Sequence, residues 1–233
     1  MESSELREII ENQNLNISNQ IWNVEISYSK IYSENKNNET EKVIELQNEY
    51  KTNSVFVSIR KKNSEVLKNV EINGIDGSFY LHKSTGNDNS QSVKLNDNNL
   101  IMSLGFTILS LNLDETELDW ILRPDIAEIF EFYDLEEDIL LRGELQIHRI
   151  DKNGNIKWSY SGRDIWVNLE GKSEVNIEEN KIRLLDFESN EYLINFNGEL
   201  LDDKQKIIKI KKPSLFTNPK KWFYQKVWEH MTK

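Results

Sequence analysis

Between residues 139 and 150, apolar and polar positions alternate with a period of two. Ile139, Leu141, Leu145 and Ile147 fall on one side, and Arg142, Glu144, Gln146 and His148 on the other. That spacing predicts one long strand with a single dry face. Asn153 and Gly154 follow, a pair that tolerates positive φ, and Ile156, Trp158 and Tyr160 resume the alternation, so a hairpin is expected here. Trp22, Val24, Ile26, Tyr28 and Tyr32 alternate with Asn23, Glu25, Ser27 and Ser29 in the same way.

Further strands are expected near 43–47, 55–59, 66–72 and 78–81, the last two flanking Asn73-Gly74 and Asp76-Gly77 as a hairpin. Residues 106–113 read as a buried strand. Later come Ile165, Val167 and Leu169, then residues 182–187, then Tyr192, Ile194 and Phe196, all strand-like. Residues 118–135 admit two periods. Ile126, Ile129, Phe130 and Tyr133 fit a helix begun at Pro124, while Phe130 and Phe132 fit a strand; the expectation is a helix or turn over 118–127 and then a strand.

Two short helices complete the picture. Leu6, Ile9 and Ile10 make a narrow stripe within 4–13. Asn218 and Pro219 stand as N-cap and first helical residue of a segment whose Phe223, Tyr224, Val227, Trp228 and Met231 share an arc. The expected fold is therefore all-β, mainly antiparallel meanders or sandwich-like sheets, with short helices at the N- and C-termini. Residues 1–233 are expected to form one compact unit with lobes at 18–83 and 100–211 and a helix at 214–233. The Ser-, Asn-, Asp- and Gly-rich stretch 84–99 lies between the lobes.

The segment Ile150-x-x-Asn153-Gly154-x-Ile156 recurs 44 residues later as Ile194-x-x-Asn197-Gly198-x-Leu200. A turn of this kind before Trp158 resembles one blade of a quinoprotein-type β-propeller, over less than a third of the chain. Counting 44 back from Gly154 reaches Ser110, where no such turn stands, so the two are read as similar hairpins rather than as a repeat.

Composition narrows the chemistry. With 23 aromatic residues among 233, a core is within reach although hydrophobic content is 37%. There is no cysteine, which excludes disulfides, thiolate metal sites and cysteine nucleophiles. The first ten residues carry no apolar run of signal-peptide type and no stretch reaches membrane-span length, so a cytoplasmic location is expected. The net charge of −11 is unevenly spread. Eleven carboxylates lie between 114 and 138 against Arg123, while nine lysines lie between 204 and 233 against Glu229. The lysine-rich terminus is expected to fold back on the acidic segment, or else to touch a membrane or nucleic acid.

No phosphate loop, Gly-x-Ser-x-Gly elbow or His-Glu-x-x-His is present. Glu144 and His148, on one strand, would stand about 13 Å apart and could not share an ion, so no metal and no cofactor are expected. The best catalytic pair is Glu144 with Asp164, two carboxylates that folding would have to unite, with Trp158 or Trp166 as a sugar platform. The acidic segment interleaves charge with aromatic anchors. Trp120, Asp125, Glu128, Phe132, Glu136 and Asp138 are the expected contacts for a basic partner. A non-enzymatic, protein-binding role in the manner of an immunity protein ranks first, a carboxylate hydrolase second, and membrane or nucleic-acid contact through the lysines third.

Overall fold

A computed structural model describes residues 12–29, 40–46, 53–86, 88–168 and 170–206. It is all-β throughout those residues, with four antiparallel-dominated sheets and no helix. Both expected terminal helices fall outside the described residues, except that Asn12 and Gln13, placed at the end of the first one, lie in a strand.

The first sheet has the order β1 (Asn12–Ser18), β2 (Trp22–Ser29), β4 (Asn53–Lys61), β5 (Leu67–Ile75) and β3 (Lys42–Glu45), with β3 joined in parallel to β5. Three four-stranded meanders follow. The second sheet is β6 (Val93–Leu95) to β7 (Asn99–Leu104), β8 (Thr107–Asn112) and β9 (Glu117–Leu122). The third is β10 (Ile129–Leu135), β11 (Asp138–Gly143), β12 (Ile147–Ile150) and β13 (Ile156–Tyr160). The fourth is β14 (Val175–Ile177), β15 (Lys181–Leu185), β16 (Glu191–Asn195) and β17 (Leu200–Lys204). Each meander has the four-stranded form of a propeller blade.

The sheets stack in chain order. One core joins the first sheet to the second, from Trp22, Ile26 and Ile72 to Met102 and Leu111. A second core joins Ile101 and Ile108 to Phe132, Leu141 and Ile150. A third joins Leu140 and Ile147 to Trp166, Ile182 and Ile194. The second and third sheets are thus buried on both faces, which is why β7, β8 and β11 are largely apolar runs and why β12 is buried along its whole length despite His148 and Arg149. The first and fourth sheets bury one face each and keep the alternation.

That difference corrects several expectations. Residues 139–150 are not one strand but a tight hairpin, with Gly143 N–H bonded to Gln146 O at 2.9 Å. Where both faces are buried, an apparent period of two carries no information about length. Residues 118–127 are not helical, since β9 occupies 117–122 and a linker follows. The hairpin expected over 66–81 is absent, because β5 runs through Gly74 and 76–81 lies outside any strand. Ile165 and Val167 lie in an irregular connection.

Tryptophans fasten each sheet to the next. Trp22 Nε1 donates to Asn98 Oδ1 at 3.1 Å, Trp120 Nε1 to Lys152 O at 3.0 Å and Trp158 Nε1 to Phe196 O at 2.8 Å. The ring of Trp120 lies on Gly154, and that of Trp158 on Gly198. A Cβ at either glycine would stand 2.8 or 2.7 Å from the indole, and both have φ near +80°, so glycine meets two demands at once. The Gly154 and Gly198 turns therefore share one construction, and the β8–β9 turn of the second sheet shares part of it. There Asn112 Oδ1 accepts the Asp114 and Glu115 N–H groups, as Asp151 Oδ1 and Asn195 Oδ1 accept theirs. Thr116 takes the positive φ at 56°. Trp120 and Trp158 are 38 residues apart rather than 44, and Thr116 stands at positive φ where the other two turns have glycine.

Candidate functional site

In an antiparallel meander the connections alternate between two ends, and here the two ends differ in chemistry. One end gathers the turns around 96–98, 112–116, 136–137, 151–155 and 195–199. The other gathers the hairpins around 105–106, 143–146 and 186–190 with the linkers 123–128 and 161–174.

At the first end four carboxylates of the acidic segment, Asp114, Glu117, Glu136 and Asp138, meet cations of neighbouring strands. Asp114 meets Lys61 at 3.3 Å and its carbonyl takes Lys68 Nζ at 2.6 Å, and Glu117 meets Lys42 at 2.8 Å. Arg149 is the centre of the third sheet's share. Its Nε reaches Asp138 Oδ2 at 2.5 Å, its Nη2 reaches Glu136 Oε2 at 2.7 Å, and its Nη1 reaches Phe196 O at 2.8 Å. Lys157 Nζ adds a contact to Asp138 Oδ2 at 2.7 Å. Burial alone would raise the Asp138 pKa, but the hydrogen bonds from Lys157 and Arg149 outweigh it and hold the carboxyl below its ordinary range. Higher on the sheets Lys94 holds Asp134 at 2.6 Å and Arg142 holds Glu131 at 2.8 Å. Lys204 pairs with Glu191 and Asp202, and Lys206 with Glu170, so these two tail lysines engage the fourth sheet and its approach rather than 114–138. The remaining seven lie outside the described residues.

At the second end a relay of main-chain hydrogen bonds crosses all four sheets. Phe106 N donates to Asp76 O at 3.3 Å, Ile129 N to Gly105 O at 2.8 Å and Glu144 N to Glu128 O at 2.9 Å. Trp166 N continues to Glu144 O and Phe187 N to Ile165 O, both at 2.8 Å. Three large apolar side chains stand out along this row: Ile126 at 83% exposure, Leu145 at 39% and Phe187 at 38%. Around them Asp125, Glu128, Glu144, Asp164 and Glu188 make no ion pair among the described residues, whereas Arg123, Arg142 and Arg163 are held by Asp76, Glu131 and Asp203. Glu128 Oε1 accepts Ser78 N at 2.8 Å, and Asp125 and Asp164 each accept the next residue's N–H. Beneath the row His148 is buried, its Nδ1 2.8 Å from Ser159 Oγ. Burial pushes its pKa down, and the Asp125 carboxylate acts in the opposite sense.

The six expected binding residues are therefore divided. Glu128 stands at the acidic loop end, and Asp125 lies there with its Oδ2 buried and its Oδ1 accepting Ile126 N–H. Phe132 is fully buried and exchanges main-chain hydrogen bonds with Gln91, so it is no surface anchor. Trp120 lies on Gly154, and Glu136 and Asp138 are held by Arg149, so these three act within the stack. Glu144 and Asp164 do come to one strip, since Trp166 N–H meets Glu144 O, yet Trp166 is fully buried and Trp158 lies on Gly198, which removes the proposed sugar platform there. Among the described residues no three His, Asp or Glu side chains stand at metal-binding spacing. Sequence reasoning missed Ile126, Leu145 and Phe187 because each was assigned to an apolar stripe. Their one common signal is a place beside a turn former, namely Pro124, Gly143 and Asn190.

The fold and this end define an all-β protein of stacked four-stranded meanders with an acidic, apolar-studded loop end. No family model and no curated protein matches the chain. Among solved structures it is similar to the AfRom2 CNH domain, at 11% identity and a TM-score of 0.44, over 88% of this chain and 58% of that one. The computationally designed Ika8 protein gives 10% and 0.44, over 82% and 47%. BamB from Moraxella catarrhalis gives 8% and 0.39, over 52% and 38%. Likeness this slight carries no weight for function, and the chain spans well under two thirds of all three. No helix among the described residues is long and apolar enough to cross a membrane.

Proposed function

We propose that this chain is a non-enzymatic binding protein that captures a basic protein partner at its loop end, in the manner of an immunity protein. The observation that carries the reading is what the loop end exposes. Ile126, Leu145 and Phe187 stand exposed there beside Glu128, Glu144, Asp164 and Glu188, which form no ion pair among the described residues, while at the turn end Asp114, Glu117, Glu136 and Asp138 are paired with lysine or arginine. Apolar anchors inside a like-charged surround are the composition of a binding hot spot, and the surround speeds encounter with an oppositely charged surface. The inter-sheet relay holds the anchors on fixed backbone, which lowers the ordering cost of association.

The test compares retention of proteins from source lysate on immobilised wild type and on an Ile126→Ser, Glu144→Gln, Glu188→Gln variant. A basic protein held stoichiometrically by wild type is expected to bind the variant roughly thirtyfold or more weakly, the loss of one hot spot, with an unchanged unfolding midpoint. Equal retention by both forms would place the contact elsewhere and remove the proposal.

A further inference from the structure

The outward positions of the first sheet form a second polar surface that the loop end does not use. Register places Ser18, Asn23, Arg60 and Leu67 in one row across β1, β2, β4 and β5, and Asn16, Glu25 and Ser58 in the next. With Lys83 these residues line an open cleft of about 560 Å³, within the range of roughly 300 to 1,000 Å³ usual for small-ligand sites. We propose that this cleft binds an acidic oligosaccharide.

The side chains available there decide the ligand class. Arg123, Arg142, Arg149 and Arg163 are each held by a carboxylate, but the Arg60 guanidinium has no such partner among the described residues. Glu25, on the adjacent strand and diagonal to Arg60, is likewise in no ion pair among the described residues. The Asn23 amide takes no hydrogen bond from them either, while Asn16 contributes its carbonyl to Lys83 Nζ at 3.2 Å, which fixes a second cation at the β1 side. Amides and hydroxyls both donate and accept, and a carboxylate accepts from hydroxyls, so Asn16, Ser18, Asn23 and Glu25 suit a ligand rich in hydroxyl groups. Arg60 adds a planar fork matched to a carboxylate, with Lys83 as a second positive charge against the single Glu25. Phe56 projects from the same sheet face two residues before Ser58 and is 42% exposed, an aromatic surface for the C–H side of a sugar ring.

Calorimetric titration of the full chain with a panel of uronic-acid tetrasaccharides, each beside its methyl ester, tests the assignment. Saturable binding to at least one acid is expected, tenfold or more weaker for its ester. Arg60→Ala and Phe56→Ala should each weaken it at least tenfold without moving the thermal unfolding midpoint. Absence of saturable binding across the panel overturns the proposal, as does equal affinity for acid and ester or full affinity in Arg60→Ala. Because the cleft and the loop end share no residue, partner capture can fail while sugar binding holds, and the reverse.

Discussion

Gly105→Ala is expected to lower stability by about 4 kcal/mol, a large fraction of the ~5 to 15 kcal/mol that holds a typical domain folded. Gly105 has φ +64°, where an L-residue costs roughly 1 to 2 kcal/mol. A Cβ there would stand 1.9 Å from Asp76 O, a main-chain atom that cannot rotate aside. Relief requires the 105–106 turn to move, which breaks the Phe106 N to Asp76 O and Ile129 N to Gly105 O bonds, at about 1 kcal/mol each. Urea denaturation measures the effect, with Gly86→Ala as control, since nothing lies within 4 Å of a Cβ built at Gly86. A loss under about 1 kcal/mol would mean that the loop end is not pinned by this contact. The same variant should also lose partner binding at the loop end while retaining the Trp120 and Trp158 docking of the opposite end.

Arg149→Leu is the second large effect, at about 3 to 5 kcal/mol, because it leaves the buried Asp138 carboxylate with Lys157 alone. The pH dependence follows from the sign of the shift. The Asp138 pKa is lowered in the folded state, so its contribution is complete above the unfolded carboxylate value near 3.9 and disappears as pH falls through the folded value. The difference in unfolding free energy between wild type and Asp138→Asn is therefore largest at neutral pH and shrinks below about pH 4. Chemical denaturation at pH 7 and pH 3 reads it directly. A difference that stays constant over that interval would show that Asp138 is not held ionised by its partners.

The sequence made the outer sheets legible and the inner ones not, for one physical reason. β2 and β4 face solvent on one side, so Trp22 to Tyr28 and Val55 to Ile59 announce themselves by alternation. β11 and β12 are buried on both sides, and there Leu140 and Leu141 are equally covered. The turn at Gly143 was consequently read through as strand. The acidic segment was correctly seen as unusual, yet its charges proved to have two destinations that only register reveals. Asp114 and Asp138 meet lysine or arginine on neighbouring strands, while Glu128 meets none among the described residues and accepts Ser78 N–H instead. β1 escaped notice because Asn12, Asn14 and Asn16 mask the short apolar series of Leu15 and Ile17.

The polar outer faces of the first and fourth sheets have a consequence for how such a chain can change over generations. A ring of blades must contain a fixed number of members to close, but among the described residues no core unites the first sheet with the fourth. Where sheets follow one another through shared cores, stability is a sum of unit and neighbour terms. A whole meander can be duplicated or deleted within such a row, provided that a fourth-strand tryptophan still meets a turn like those at Gly154 and Gly198. The row of loops at the second end would then grow or shrink one loop at a time, and with it the surface on which the proposed binding rests.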